Sequence, residues 1–148
     1  MSEARSMQEL APLIIETVNA GGEFKLITKG TSMMPLLRNG VDTAVLVKFD
    51  GNLKKNDIPL YCRADGQYVL HRAIEVSSDT NSFTALGDNQ TVVEKNVPVS
   101  SVIAVMTAVI VNGVRRDFDG AEYRSYVKKL PFHRLRLRIT RKIRSMLK

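Results

Sequence analysis

The chain has 148 residues, of which 44% are hydrophobic, and this length and composition fit one globular domain with a substantial core. Its single cysteine, Cys62, excludes an internal disulfide framework and fits a reducing compartment. No stretch approaches the ~20 apolar residues of a membrane-spanning helix, and the N-terminus shows no secretory signal, so we expect a cytoplasmic protein.

The first predicted element is a helix near the N-terminus. Ser6-Met7-Gln8-Glu9 has the pattern of a capping box, which opens a helix by pairing a serine hydroxyl with a glutamate three positions on. The helix is expected to run to about Asn19 and to end at Gly21-Gly22. Apolar residues recur at helical spacing within it, at Leu10, Leu13, Ile14 and Val18.

After this helix the pattern changes to short strands separated by turns. The predicted strands cover residues 24–28, 43–48, 58–63, 68–76, 83–86 and 102–112. Many short strands at this spacing predict a mainly β fold with a barrel-type domain. The predicted organisation is an N-terminal helical region at 1–22, a β domain at 23–120 and a C-terminal segment at 121–148.

The C-terminal segment carries the positive charge of the chain. Residues 121–148 contain ten Lys or Arg and one acidic residue, a net charge of +9, whereas residues 1–120 have a net charge of −2. Pro131 is suited to a helix start, and a helix is favoured over a strand at 134–139 because the apolar stripe continues for fifteen residues. That stripe comprises Phe132, Leu135, Ile139, Ile143 and residues 146–147.

Three partners of this basic segment are considered. An amphipathic basic helix can lie on an anionic membrane, which would place the protein peripherally at the inner face of a membrane. It can equally pack on the β domain through Phe132, Leu135 and Ile139. Nucleic acid is the least favoured partner, because few aromatic residues alternate with the cations and no known motif is present.

Three polar motifs lie within the β domain. Ser32 sits in Gly30-Thr31-Ser32-Met33-Met34-Pro35, His71-Arg72 follows 39 residues later, and Gly87-Asp88-Asn89 begins 16 residues after His71. A hydroxyl, an imidazole and a carboxylate are the three parts of an activated serine nucleophile. His71 has the intrinsic pKa of a general base near neutrality, and the one other histidine, His133, lies in the basic segment.

The order and spacing of these motifs resemble the type I signal peptidase and LexA-like superfamily of serine peptidases. The pair His71-Arg72 is similar to the archaeal and endoplasmic-reticulum branch, in which a histidine replaces the catalytic lysine of the bacterial enzymes. No lysine lies between Lys55 and Lys95 to serve at this motif. Membrane-bound members of the family carry a transmembrane anchor, and no such span is visible in this sequence.

The resemblance implies a role for each motif residue. Ser32 would be the nucleophile, His71 its base and Asp88 the carboxylate that orients His71. The family has a second acidic position about six residues after the first, here Glu94, and either could orient the ring, with Asp88 favoured. Arg72 is expected to hold an acidic neighbour in place.

The loop around Ser32 is expected to shape the cleft and the oxyanion site. The backbone N–H of Ser32 is the natural oxyanion donor. Many family members add a hydroxyl two residues earlier, where this chain has Gly30. Thr31 is expected to point elsewhere, and Met33 and Pro35 to be structural.

The leading hypothesis is a serine endopeptidase that cleaves an extended peptide or leader bound by strand addition. Family precedent suggests small residues just before the cut. A first alternative is a self-cleaving LexA-like regulator, for which the Ala20–Gly21 bond is a candidate site. A second is a non-catalytic peptide-binding module of the same fold. No cofactor is expected, and no Cys/His cluster has metal-ligand spacing, so a metal site is not expected.

Overall fold

A computed structural model describes residues 5–147, so the outermost residues of the predicted segments 1–22 and 121–148 lie outside the described residues. The predicted mainly β fold with a helix near each end is confirmed. The helices are α1 (Met7–Asn19) and α2 (Ala121–Met146), with a 3-10 turn at Val99–Ser101. The strands of the described chain are β1 (Phe24–Ile27), β2 (Thr43–Val47), β3 (Pro59–Cys62), β4 (Tyr68–Leu70), β5 (Arg72–Ser77), β6 (Ser82–Leu86), β7 (Glu94–Pro98), β8 (Val102–Val111) and β9 (Val114–Asp117).

The strands form two antiparallel sheets. The larger sheet has the order β1-β2-β8-β3-β4, with β9 also pairing β8, and curls into a half-barrel. The smaller sheet has the order β5-β6-β7. Within the described residues, β1 and β4, at the two ends of this order, are each paired on one side only and so have backbone groups free to pair.

The predicted single strand at 68–76 is wrong, because the chain changes sheets at His71. Strand β4 pairs with β3 in the larger sheet, whereas β5 pairs with β6 in the smaller one. Both halves are rich in apolar and β-branched residues, so the sequence pattern continues through the break. The change of partner places His71 at the junction of the two sheets.

Strands β7 and β9 were not predicted from the sequence. Glu94, Lys95, Asn96 and Pro98 give β7 a polar composition, and every residue of β9 is exposed. Both strands are ordered by pairing with a neighbour, β7 with β6 and β9 with β8. Strand formation here depends on that partner rather than on local propensity.

The N-terminal helix forms as predicted and closes one side of the larger sheet. The Ser6 hydroxyl accepts a hydrogen bond from the Glu9 N–H at 3.3 Å, and the Glu9 carboxylate accepts one from the Ser6 N–H at 3.2 Å. This completes the capping box. Ile14 and Val18 pack in the same hydrophobic cluster as Met33 and so support the loop that carries Ser32.

The C-terminal helix is longer than predicted, and it packs through other residues. It begins at Ala121, so Pro131 lies inside the helix rather than at its start. Leu130 is its buried residue, whereas Phe132, Leu135 and Ile139 are exposed and do not pack on the β domain. Within residues 5–147, no helix combines the length and the apolar content needed to cross a lipid bilayer.

Candidate active site

Ser32 lies in the loop between β1 and β2, and a glycine shapes that loop just before it. Gly30 has φ +98°, a conformation that side-chain-bearing residues rarely adopt. Its N–H donates to the Asn39 side-chain oxygen at 2.8 Å, which leaves it unable to serve as an oxyanion donor in this arrangement. The Ser32 N–H and hydroxyl make no hydrogen bond with any residue that the structure describes, so both remain free for a ligand.

The remaining predicted loop residues divide into two groups. Gly30 and Met33 line the cleft beside Ser32, and Met33 is also buried in the core. Thr31 and Pro35 are exposed and lie outside the cleft lining. Thr31 contributes through its backbone carbonyl, which accepts a hydrogen bond from Met34 N–H at 3.2 Å.

The loop Gly87-Asp88-Asn89 is bound directly to the serine loop. The Asn89 N–H donates to the Ser32 carbonyl at 2.8 Å, and the Asn89 side-chain amide donates to the Thr31 carbonyl at 3.1 Å. A Cβ on Gly87 would lie 2.5 Å from the Ser32 carbonyl oxygen, closer than packed atoms allow. The third motif therefore fixes the backbone of the first, and glycine at position 87 permits the close approach.

His71 lines the same cleft as Ser32. This cleft has a volume of about 1010 Å³ and is walled by the residues of the two edge strands β1 and β4. His71 is 8% exposed, and its ring makes no hydrogen bond within the described residues. The structure thus brings the predicted nucleophile and base, 39 positions apart in sequence, to one cavity.

The surroundings of His71 favour its neutral form. Burial lowers the pKa of the ring below its usual value, because a charged ring loses hydration there, and the positive charge of Arg63 lowers that pKa further. The charges of Glu94 and Asp88 act in the opposite direction and raise the same pKa. A neutral imidazole can accept a proton, which is the state a general base requires.

Asp88 is fully buried and is held by Arg72. The Arg72 Nε and Nη2 atoms donate to the two Asp88 carboxylate oxygens at 2.8 and 2.9 Å. Tyr126 on α2 adds a third hydrogen bond to Asp88 at 2.8 Å. The predicted role of Arg72 in holding an acidic neighbour is confirmed, and in this arrangement the Asp88 carboxylate is hydrogen-bonded to Arg72 and Tyr126 rather than to His71.

Glu94 lies on β7, close enough to influence His71 electrostatically. Its carboxylate accepts a hydrogen bond from the Tyr61 hydroxyl at 2.6 Å and two from Arg63, the shorter at 3.0 Å. Burial raises the pKa of Glu94, but the hydrogen bonds from Arg63 and Tyr61, together with the positive charges of Arg63 and His71, leave that pKa below its usual value. Both candidate carboxylates are therefore held by a cation and a tyrosine.

Helix α2 contributes side chains that the sequence analysis did not assign to the site. Tyr123 accepts a hydrogen bond from Arg72 Nη1 at 2.7 Å and stacks on Phe118 with ring centroids 3.9 Å apart. Arg134 approaches Asp88 to 3.7 Å. Tyr123 and Arg134 lie 35 and 46 positions after Asp88, and no local sequence pattern marks them as neighbours of the Arg72–Asp88 pair.

The Ala20–Gly21 bond, the candidate self-cleavage site, lies in the hydrogen-bonded end of α1. The Ala20 N–H donates to the Glu16 carbonyl at 3.1 Å, and the Gly21 N–H donates to the Val18 carbonyl at 3.0 Å. An extended conformation, which peptidase substrates adopt, requires both of these bonds to open.

Comparisons of this chain with protein-family models, with curated proteins and with solved structures found no match. The resemblance to the signal peptidase and LexA-like superfamily therefore stays a prediction that depends on the three motifs and their spacing.

Proposed function

We propose that this protein is a serine endopeptidase that uses Ser32 as nucleophile and His71 as general base. The observation that supports this most is their shared position in one cleft, each with its side chain free of hydrogen bonds within the described residues. Polar groups near the protein interior are ordinarily paired. Two unpaired groups of complementary chemistry beside one cavity are what a reaction on a bound substrate requires.

The proposed chemistry is acyl transfer. The Ser32 oxygen attacks a peptide carbonyl while His71 accepts its proton, and the protonated ring then gives that proton to the leaving amine. Water then attacks the resulting ester on Ser32 while His71 accepts a proton from it, and the protonated ring returns that proton to the Ser32 oxygen as the new carboxyl end of the peptide leaves. The free backbone N–H of Ser32 is the proposed donor to the oxyanion.

The proposed acidic partner of His71 is Asp88, with Glu94 as the alternative. Each carboxylate raises the pKa of the ring, so each stabilises the imidazolium that forms when Ser32 loses its proton. Asp88 has a second contribution, because the loop that carries it is hydrogen-bonded to the Ser32 carbonyl through Asn89. Its proposed role thus combines electrostatic stabilisation with positioning of the serine loop.

The proposed substrate is an extended peptide. The cleft lies between β1 and β4, whose outer edges are unpaired within the described residues. A peptide in the cleft could pair with β1 or with β4 through backbone hydrogen bonds and so extend the larger sheet, with alternate side chains facing the cavity. This mode suits a leader peptide, a peptide precursor or a regulatory protein.

The test is hydrolysis of leader-like peptides with small residues before the cut, followed by mass spectrometry. Ser32→Ala is expected to lower the rate by roughly 10³-fold or more, because the nucleophile is lost. Stability should be retained, since the Ser32 hydroxyl makes no hydrogen bond within the described residues. Ser78→Ala, at an exposed position outside the three motifs and outside the cleft lining, is the matched control and should keep full activity. Equal rates for wild type and Ser32→Ala would refute the proposal.

A further inference from the structure

One face of α2 presents a row of exposed apolar side chains. Phe132, Leu135, Ile139, Ile143 and Met146, called the outer stripe below, are each at least 49% exposed. Their spacing of three or four residues places them on one side of the helix. Contiguous apolar surface of this kind commonly marks an interaction site.

The opposite face of the same helix is already occupied. Tyr123, Tyr126 and Leu130 pack toward the β domain, and Arg141 donates to the Asn89 carbonyl at 2.7 Å and to the Thr91 hydroxyl at 3.0 Å. Leu130 and Ile139 are nine residues apart, about two and a half helical turns, so they point in opposite directions. The helix is therefore held through its inner face, and the outer stripe is directed away from the domain.

Cations border the outer stripe on both sides. Lys129 and Arg136 lie along one border, and Arg138 and Lys142 along the other. All four are exposed. The single acidic residue of the helix, Glu122, is paired with Arg116 at 2.6 Å. The outward surface thus combines an apolar centre with positive margins.

We propose that the outer stripe of α2 docks on the surface of an anionic lipid bilayer. The helix lies in the plane of the interface, with its apolar side chains below the headgroups and the bordering cations against lipid phosphates. The long stems of Lys and Arg allow their charges to reach the headgroups while the stripe is immersed. A second copy of this chain is a poorer occupant, because two such stripes in contact would bring like charges together.

Docking in this manner would set the distance between the membrane and the serine loop. Arg141 binds the Asn89 carbonyl, and the Asn89 N–H binds the Ser32 carbonyl. The bilayer surface would then lie within about one helix diameter, roughly 10–12 Å, of the Asn89 loop. The docking proposal does not depend on the proposed peptidase activity, since it concerns a different face of the molecule.

The test is co-sedimentation of the full-length protein with vesicles of phosphatidylcholine alone or mixed with phosphatidylglycerol at about 7:3. Wild type is expected to bind the mixed vesicles and to release as salt is raised, because the Debye length shortens. Ile139→Glu should weaken binding by about tenfold or more, as an immersed apolar side chain is replaced by a charge that lipid phosphates repel. Val114→Glu, at an exposed apolar position on β9, is the control and should bind like wild type.

A second pair of variants tests the charged margins. Replacing Arg136 and Lys142 together by Gln should weaken binding by about fivefold per cation removed, whereas Lys95→Gln, an exposed lysine on β7, should change nothing. The proposal is overturned if wild type does not sediment with the mixed vesicles or if Ile139→Glu binds them as well as wild type does. It is equally overturned if sedimentation equilibrium without lipid shows a dimer that Ile139→Glu dissociates.

Discussion

Two adjacent residues, His71 and Arg72, have opposite surroundings. The His71 ring borders the cleft and makes no hydrogen bond within the described residues. The Arg72 side chain is fully buried and makes four hydrogen bonds, to Asp88, Asn56 and Tyr123. The switch between sheets separates them, because His71 follows the last residue of β4 and Arg72 begins β5.

The contrast separates a residue available for chemistry from one that maintains structure. A buried cation that is fully paired contributes to a fixed local geometry. An imidazole that borders a cleft and makes no hydrogen bond with the described residues is available to a substrate in that cleft. The comparison predicts that changes at His71 affect activity and that changes at Arg72 affect folding.

The largest expected effect is on activity, at His71. His71→Gln is expected to lower the rate of peptide hydrolysis by about 10²–10⁴-fold, because the general base is lost. The free energy of unfolding should change little, since no hydrogen bond within the described residues is removed. His133→Gln, at the one other histidine, is the control and should leave the rate unchanged. Retained activity in His71→Gln would contradict the assignment.

A large effect on stability is expected at Arg72. Arg72→Met leaves the buried Asp88 carboxylate without its paired cation and should lower the free energy of unfolding by about 3–5 kcal/mol. Urea denaturation measures this change. Arg63→Met is the control, because its ion pair with Glu94 is about one third exposed and should contribute less than about 1 kcal/mol. Similar losses of unfolding free energy in Arg72→Met and Arg63→Met would contradict the expected difference between the buried ion pair and the partly exposed one.

An intermediate effect is expected at Gly87, which links the two loops. Gly87→Ala places a Cβ 2.5 Å from the Ser32 carbonyl oxygen, so the serine loop must shift, at a cost of about 1–3 kcal/mol. Hydrolysis should fall by more than this loss of stability explains, since the nucleophile is displaced. Gly22→Ala, with its closest contact at 3.1 Å to the Thr17 carbonyl, is the matched control and should affect stability alone. Unchanged hydrolysis in Gly87→Ala would contradict the linkage.

The smallest expected effect concerns pH. Because the folded pKa of His71 lies below its ordinary value of 6.5, the neutral base persists below that pH, and activity is lost only as pH falls through the lowered pKa. Removing the positive charge in Arg63→Gln should raise the pKa of His71 and shift the acid limb of the pH–rate profile to higher pH. Removing the negative charge in Glu94→Gln should lower the pKa of His71 and shift the acid limb to lower pH. If wild type, Arg63→Gln and Glu94→Gln all lost activity over the same acidic pH range, titration of His71 would not control the rate.

Local sequence patterns were sufficient for the elements with a strong periodic or turn signal. The capping box at Ser6 and Glu9 and the end of α1 at Asn19 are confirmed. The hairpin between β3 and β4 also follows from local sequence, since Ala64-Asp65-Gly66-Gln67 supplies the turn and Gly66 has φ +89°. The polar strands β7 and β9 carried no such signal, because their order comes from the strands beside them.

For the site, the motif pattern selected Ser32, His71 and Asp88 as candidates and assigned Arg72 to an acidic neighbour. It could not specify which residues surround the Asp88 carboxylate. Tyr126 and Arg134 reach it from a helix more than 35 positions later. Such contacts arise when α2 folds back over the domain, and their spacing in sequence obeys no helical or strand period.

The amino-acid sequence by itself determined the mainly β fold with a helix near each end, the concentration of cations in the last segment and the identities of the three polar motifs. These properties depend on residue type and on short-range periodicity. The tertiary structure alone decided that the chain changes sheets at His71, that Asp88 pairs with Arg72, and that the apolar stripe of α2 faces outward. Each of these depends on which distant surfaces meet, because burial and pairing are properties of the packed molecule and not of any segment taken alone.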